Sequence, residues 1–272
     1  MTSNPGPVVA PLRLISTDFD GTIHEDFAHS PVPEALQDRL ISLQGQGVTW
    51  VINTGRDLAS LMESMGRAHL RARPDFVVTV EREIHRHVGG HYESVEPWNG
   101  ACIRDHAEIF ERHAQPLARL SAGLEQRFDA TFYRDMWSPI CAIARTNAQM
   151  DSIQSELERF CLGAPELVPV RNDVYVRLSH RAYSKGTALQ EIQRLLGLGA
   201  GQTFAAGDHL NDLSMLRRTV AHWLATPANG LPQVRSQVVA EGGYLASKVC
   251  GEGVLEALNR FAGSTTPAIQ RG

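Results

Sequence analysis

Residues 12–22 read Leu-Arg-Leu-Ile-Ser-Thr-Asp-Phe-Asp-Gly-Thr. Residues 12–17 are strand-like, and the acidic pair Asp18 and Asp20 follows them without a linker. In an open α/β sheet, ligands bind beyond the carboxyl ends of the strands, so chemistry is expected here. Residues i and i+2 of an extended segment point the same way, which aims both carboxylates at one spot. Carboxylates that close repel unless a cation or a proton intervenes, so the pair is a candidate metal site. Gly21 lets the backbone turn tightly and bring amides near an anion. Taken alone, the same residues also fit a solvated turn after a strand.

Working outward, short apolar runs alternate with helical patterns. Helical periodicity starts at Glu34, residues 48–53 form a second strand, residues 57–65 a helix and residues 76–80 a third strand. Strands alternating with helices at this spacing imply βαβ units and a mostly parallel, doubly wound α/β sheet. The middle of the chain changes character. Residues 85–96 are polar and read as a hairpin, residues 103–128 as a long helix broken at Pro116, and residues 130–133 and 140–144 as strands. Residues 148–160 read as a helix and 174–178 as a strand. The first rhythm returns from Ser184, with helices over 184–196, 210–217 and 253–261 and strands over 203–206 and 221–225. These readings divide the chain into a flexible leader (1–11), a Rossmann-like core in two pieces (12–81 and 181–262), an inserted α/β domain (82–180) and a flexible tail (263–272).

Bulk composition narrows the options. At ~150 residues per domain, 272 residues fall between one domain and two. Lys and Arg number 26 against 30 Asp and Glu, with no long basic run, which argues against a nucleic-acid partner. No stretch approaches ~18 consecutive apolar residues, so no membrane span is expected. Cys102, Cys141, Cys161 and Cys250 lie far apart and read as free thiols in a reducing cytoplasm.

Three further segments carry chemistry. After the strand at 203–206 come Gly207-Asp208-His209-Leu210-Asn211-Asp212, which set two more carboxylates and an amide at the same sheet edge. After the second strand, Asn53-Thr54-Gly55-Arg56 offers a hydroxyl and glycine amides, a small phosphate cradle. Ser184-Lys185-Gly186 opens a helix, where a cation opposes the helix dipole and calls for a nearby anion. Three segments at strand ends and one that supplies positive charge add up to a phosphate-plus-cation site.

In order, DFDGT, the Thr of NTGR, the Lys of SKGTAL and GDHLND resemble the four signature motifs of the haloacid dehalogenase superfamily. The long interval from Thr54 to Lys185 resembles the Cof-type and sucrose-phosphatase-like branch, which carries a large α/β cap after the third core strand. The resemblance implies roles residue by residue. Asp18 would be the nucleophile that forms an aspartyl-phosphate, and Asp20 the acid and base. Thr54, the Gly55 amide, Lys185 and Asn211 would hold the phosphate oxygens. Mg²⁺ would be held by Asp18, Asp208, the backbone carbonyl of Asp20 and, directly or through water, Asp212.

The expected activity is a Mg²⁺-dependent phosphatase acting on a small phosphomonoester, most simply a sugar phosphate. A phosphomutase is the alternative, in which case cap arginines (Arg134, Arg145, Arg171, Arg177) would clamp a second anion. A non-enzymatic phospho-ligand binder is a third reading. One departure stands out: Glu81 and Arg82 replace the Gly and Thr that follow the third strand in the sucrose-phosphatase-like pattern. Arg82 is expected in an ion pair rather than at the substrate. His85, His87 and His91 are expected on a solvated face, Trp50 and Trp137 in packing, and Arg56 in either a phosphate-near or a structural role.

Overall fold

Leu14 and Ile15 are sequence neighbours whose side chains enter different cores. Both faces of the first strand are covered, so it reads as a continuous apolar run rather than an alternating one. The computed structural model describes residues 11–262. The expected leader, apart from Pro11, and the expected tail lie outside the described residues.

The elements run in the order β1 (Leu14–Thr17), α1 (Glu34–Gly45), β2 (Thr49–Asn53), α2 (Leu58–Arg67), β3 (Phe76–Thr79), β4 (Glu83–Val88), β5 (His91–Ser94), α3 (Trp98–Arg112) and α4 (Ala114–Arg127). Then come β6 (Thr131–Tyr133), β7 (Cys141–Ile143), α5 (Asn147–Cys161), β8 (Leu167–Asn172), β9 (Tyr175–His180) and α6 (Lys185–Leu196). The chain continues through β10 (Thr203–Ala206), β11 (Trp223–Thr226), α7 (Pro232–Ala240), β12 (Tyr244–Leu245) and α8 (Cys250–Ala262). Eight strands form one sheet in the order β12-β11-β10-β1-β2-β3-β4-β5, parallel from β12 to β3 and antiparallel beyond. Ile15, Leu36, Leu40, Leu61 and Leu258 pack on one face, and Leu14, Leu189, Ile192, Val234 and Val238 on the other. The expected doubly wound α/β fold is present.

A second, antiparallel sheet in the order β6-β7-β9-β8 is covered by α3, α4 and α5 through Ile109, Leu117, Leu124, Met150, Ile153 and Leu157. Along β9, successive side chains alternate faces. Val176 and Leu178 enter that helical core. Arg177 and Ser179 point the other way and meet residues of the large sheet, Gly55 and Arg82.

Several elements differ from the sequence reading. The hairpin expected inside the insertion is β4–β5, hydrogen-bonded to β3, so the large sheet continues to Ser94. The break in the long helix falls at His113, and Pro116 sits in the first turn of α4, where a missing N–H costs nothing. β8 was not expected, because Pro169 demotes the run, yet an edge strand tolerates proline. The stretch read as a helix over 210–217 is a short 3₁₀ segment, Leu210–Ser214.

Candidate active site

The ends of β1, β2, β3 and β10 and the start of α6 converge at the carboxyl edge of the large sheet. Asp18 follows β1, and its N–H is bonded to the Ala206 carbonyl at 2.9 Å, which registers it against the end of β10. Lys185 opens α6, whose start is fixed by a capping box between Ser184 and Thr187. The Lys185 side chain is fully buried and its Nζ lies 2.6 Å from Asp18 Oδ1 and 2.6 Å from Asp212 Oδ1. The other Asp212 oxygen accepts the N–H groups of Asp208 and His209, both at 2.9 Å. Those bonds tighten the backbone after β10 and leave no room for a side chain at 207. A Cβ on Gly207 would stand 2.4 Å from Asp212 Cγ.

Oxygens of Asp18, Asp208 and Asp212 all lie within 4.8 Å of one another. Thr22 donates to Asp208 Oδ1 at 2.6 Å. Gly21 has φ +74°, and a Cβ there would meet Asp208 Oδ2 at 2.5 Å, so both conformation and space require glycine. Burial, together with Asp212 and Asp208, holds Asp18 well above the ordinary carboxylate range despite Lys185. Burial and the neighbouring Asp212 push Asp208 up to about 7. Burial would lower Lys185, but Asp18 and Asp212 outweigh it and hold the ammonium charged. Three carboxylates against one ammonium leave the cluster short of positive charge. Its donors are all oxygen, the chemistry of a hard divalent cation.

Asp18, Asp20, Thr54 and Gly55 line one cavity of about 200 Å³. Asp20 is nevertheless not aimed at the same spot as Asp18. Arg56 grips both of its oxygens at 2.7 Å and is itself anchored on α2 by Ser60 and Ser64. Burial would raise Asp20, yet His24 and Arg56 bring it down to about 2. Asn211, expected to face phosphate, instead donates to Glu81 Oε1 at 2.8 Å. A larger cavity of about 670 Å³ is lined by Asn211, Glu81 and Lys185, and by none of the three clustered carboxylates.

Sequence reading named Glu81 only as a departure from the family pattern and Arg177 only as one of four cap arginines, and both line the smaller cavity. Glu81 is the second central residue of a tight turn in the three-residue connection between β3 and β4, closed by Arg82 N–H on the Thr79 carbonyl at 3.0 Å. Val80 and Glu81 have φ +43° and +68°. Such a turn favours Asn-Gly, and each non-glycine residue costs about 1–2 kcal/mol in this region. Arg177 reaches across from β9, Nη2 donating to the Gly55 carbonyl at 2.8 Å. Arg82, expected in an ion pair, makes none among the described residues. It is buried and donates to Ser179 Oγ and the Trp137 carbonyl, which stitches the two sheets together. Trp50 is packed in the core, as expected, whereas Trp137 Nε1 donates to Glu83. His85 and His87 are half-buried, and only His91 is exposed, paired with Glu93.

The sequence model of sucrose-6F-phosphate phosphohydrolases matches residues 11–262. The chain belongs to the sucrose-6F-phosphate phosphohydrolase family. Its fold is that of haloacid dehalogenase phosphatases. It is similar to the sucrose-phosphatase of Synechocystis sp. PCC6803, whose structure holds sucrose and phosphate, with 22% identity, 93% of this chain and 98% of that one covered, and a TM-score of 0.72. It is also similar to BT1666 of Bacteroides thetaiotaomicron, at 20% identity, 96% and 99% coverage and a TM-score of 0.67. The subclass IIB sugar phosphatase BT4131 gives 16% identity, 92% and 98% coverage and a TM-score of 0.63. This family member is thus a phosphatase, and no helix among its described residues is long and apolar enough to cross a membrane.

Proposed function

We propose that this phosphatase hydrolyses a small phosphorylated metabolite, most simply a sugar phosphate, through an aspartyl-phosphate on Asp18. The observation that carries the reading is Asp18 itself, buried at a strand end with one oxygen held by Lys185. With Oδ1 taken by the ammonium, Oδ2 is the oxygen that attacks phosphorus. The bond to the leaving oxygen breaks, and Asp20 supplies the proton which that alkoxide needs. Asp20 then takes a proton from water as its oxygen attacks phosphorus, which frees Asp18 and releases phosphate. Held by Arg56 at both oxygens, the Asp20 carboxylate is ionised, so it must leave Arg56 and take up a proton from solvent before the first transfer. The Thr54 hydroxyl, the Gly55 amide and Lys185 hold the transferring oxygens, and Asn211 joins them if it leaves Glu81.

Mg²⁺ fits the residues present, because the clustered carboxylates lack positive charge. Asp18, Asp208 and the Asp20 carbonyl would hold it, with Asp212, already accepting three hydrogen bonds, behind them. When bound, it supplies charge that neutralises the phosphoryl group. The four-stranded unit is assigned as a cap over the core. Its arginines favour hydrolysis over mutase chemistry. Arg145 pairs with Asp129, Arg171 with Asp151, and Arg134 borders a groove on the cap, which leaves Arg177 at the cavity. The free, buried cysteines agree with a cytoplasmic setting.

The test is phosphate release from p-nitrophenyl phosphate. The wild type turns over with Mg²⁺ and stops with EDTA, and Asp18→Asn loses at least about 10³-fold in kcat. Unchanged turnover in Asp18→Asn would sink the assignment.

A further inference from the structure

Two further charged residues, Glu81 and Arg177, line the cavity with Asp18. Glu81 stands after β3, buried, in a left-handed backbone conformation that glutamate adopts only against a penalty. The turn is held in place from both sides of the phosphate cradle: Val80 N–H donates to the Arg56 carbonyl and Glu81 N–H to the Thr54 carbonyl, at 2.8 and 2.9 Å. The strained turn therefore delivers a carboxylate to one place, beside Gly55. A Cβ on Gly55 would lie 3.2 Å from Glu81 Oε1. Arg177 comes from the opposite side on β9. It is 5% exposed, lies over the Tyr175 ring and has spent one hydrogen bond on the Gly55 carbonyl. Its Nε is buried without a partner.

A buried guanidinium with an unspent donor beside a buried carboxylate is a recognition set for vicinal hydroxyls. The carboxylate accepts from one hydroxyl and the guanidinium donates to its neighbour. Asn172 of β8 adds an amide to the same wall. The space is small as well. The part of the cavity that Asp18, Glu81 and Arg177 line measures about 200 Å³, below the range of about 300–1,000 Å³ typical of drug-sized ligands. Glu81 and Arg177 bound the room left for the leaving group while Arg177 stays bonded to Gly55.

We propose that Glu81 and Arg177 read the leaving group and restrict this enzyme to phosphomonoesters of small polyols, of monosaccharide size or less. The proposal rests on hydrolysis at Asp18 and narrows its substrate class. It departs from the disaccharide phosphate in the family's name. Neither residue touches the reacting phosphorus; both act on binding of the alcohol portion. A site built on buried polar groups rejects a ligand that leaves them unpaired, so a leaving group without hydroxyls binds poorly.

The experiment compares kcat/KM for three- to six-carbon polyol and monosaccharide phosphates, sucrose 6F-phosphate and p-nitrophenyl phosphate, in wild type, Glu81→Gln and Arg177→Met. Circular dichroism checks that each variant is folded. The wild type is expected to favour the small polyol phosphates over the disaccharide phosphate by at least about tenfold. Each substitution is expected to lower the ratio of polyol-phosphate to aryl-phosphate kcat/KM by at least about fivefold, chiefly through KM. Equal or better turnover of the disaccharide phosphate, or a smaller change of ratio in both variants, overturns the proposal. Aryl phosphate hydrolysis without those preferences defeats this proposal alone. No hydrolysis of any ester by the wild type defeats hydrolysis at Asp18 and this proposal with it.

Discussion

Lys185 holds a full positive charge where no water reaches it, and only Asp18 and Asp212 make that tolerable. Removing one partner of a buried charged set leaves the others uncompensated, at a cost of about 3–5 kcal/mol. Lys185→Met keeps the chain's apolar length and deletes the charge. It is expected to lower stability by that amount in urea titrations and to abolish turnover. A variant as stable as the wild type would show that the ammonium is not what holds the two carboxylates. Sequence reasoning anticipated that this lysine needs an anion because it opens a helix, but it assigned the lysine to phosphate and named Asp18 and Asp212 as metal ligands rather than as its partners. It could not anticipate that Asp20 is gripped by Arg56. That contact joins two strand ends and has no periodic or motif signature. Glu81 was equally hidden as a site residue, since Val80-Glu81 lacks the Asn-Gly chemistry that announces a tight turn.

At the scale of elements, α2 links its N-cap, Asp57, to Asp20, the proposed acid and base. Asp57 accepts the Ser60 N–H at 2.9 Å and fixes the helix start. The same first turns present Ser60 and Ser64 to Arg56, and Arg56 holds Asp20. Asp57→Ala is therefore expected to cost about 1 kcal/mol by denaturant unfolding and to lower kcat as well as stability. A stability loss with kcat unchanged would detach α2 from the placement of Asp20. Strands and helices with clear period were legible because β1, β2 and β10 are buried on both faces and end at their motifs. The 3₁₀ segment Leu210–Ser214 was not, because the Asp212 carboxylate captures the N–H groups of Asp208 and His209. β8 hid behind Pro169, and the β4–β5 hairpin was legible as a hairpin but not as part of the large sheet.

For the whole molecule, His106 records how the two sheets are joined. It sits on α3, and its ring accepts the His180 N–H at 3.0 Å and lies 2.7 Å from the Cys102 carbonyl. Burial, with Arg82 nearby, brings it down to about 3. The unfolded chain takes up a proton near pH 6.5, whereas the folded chain refuses it until about pH 3. The unfolded state thus binds more protons across that window, and stability falls as pH drops through it. The slope is at most about 1.4 kcal/mol per pH unit. Urea unfolding at several pH values should show a shallower acid loss in His106→Gln than in the wild type. Identical slopes would remove His106 from the acid response.

The strand order also sets a schedule for synthesis. β1 lies between β2 and β10, and Leu14 pairs with Thr203 only after the whole second sheet has been translated. At roughly 5–20 residues per second, one edge of this buried strand waits on the order of ten seconds or more for its partner. During that interval the nascent chain carries an open parallel edge, the kind of surface that pairs with other chains. The second sheet, contiguous in sequence and antiparallel, can close as soon as β9 emerges. It would then be a finished body on the ribosome while the older half still waits.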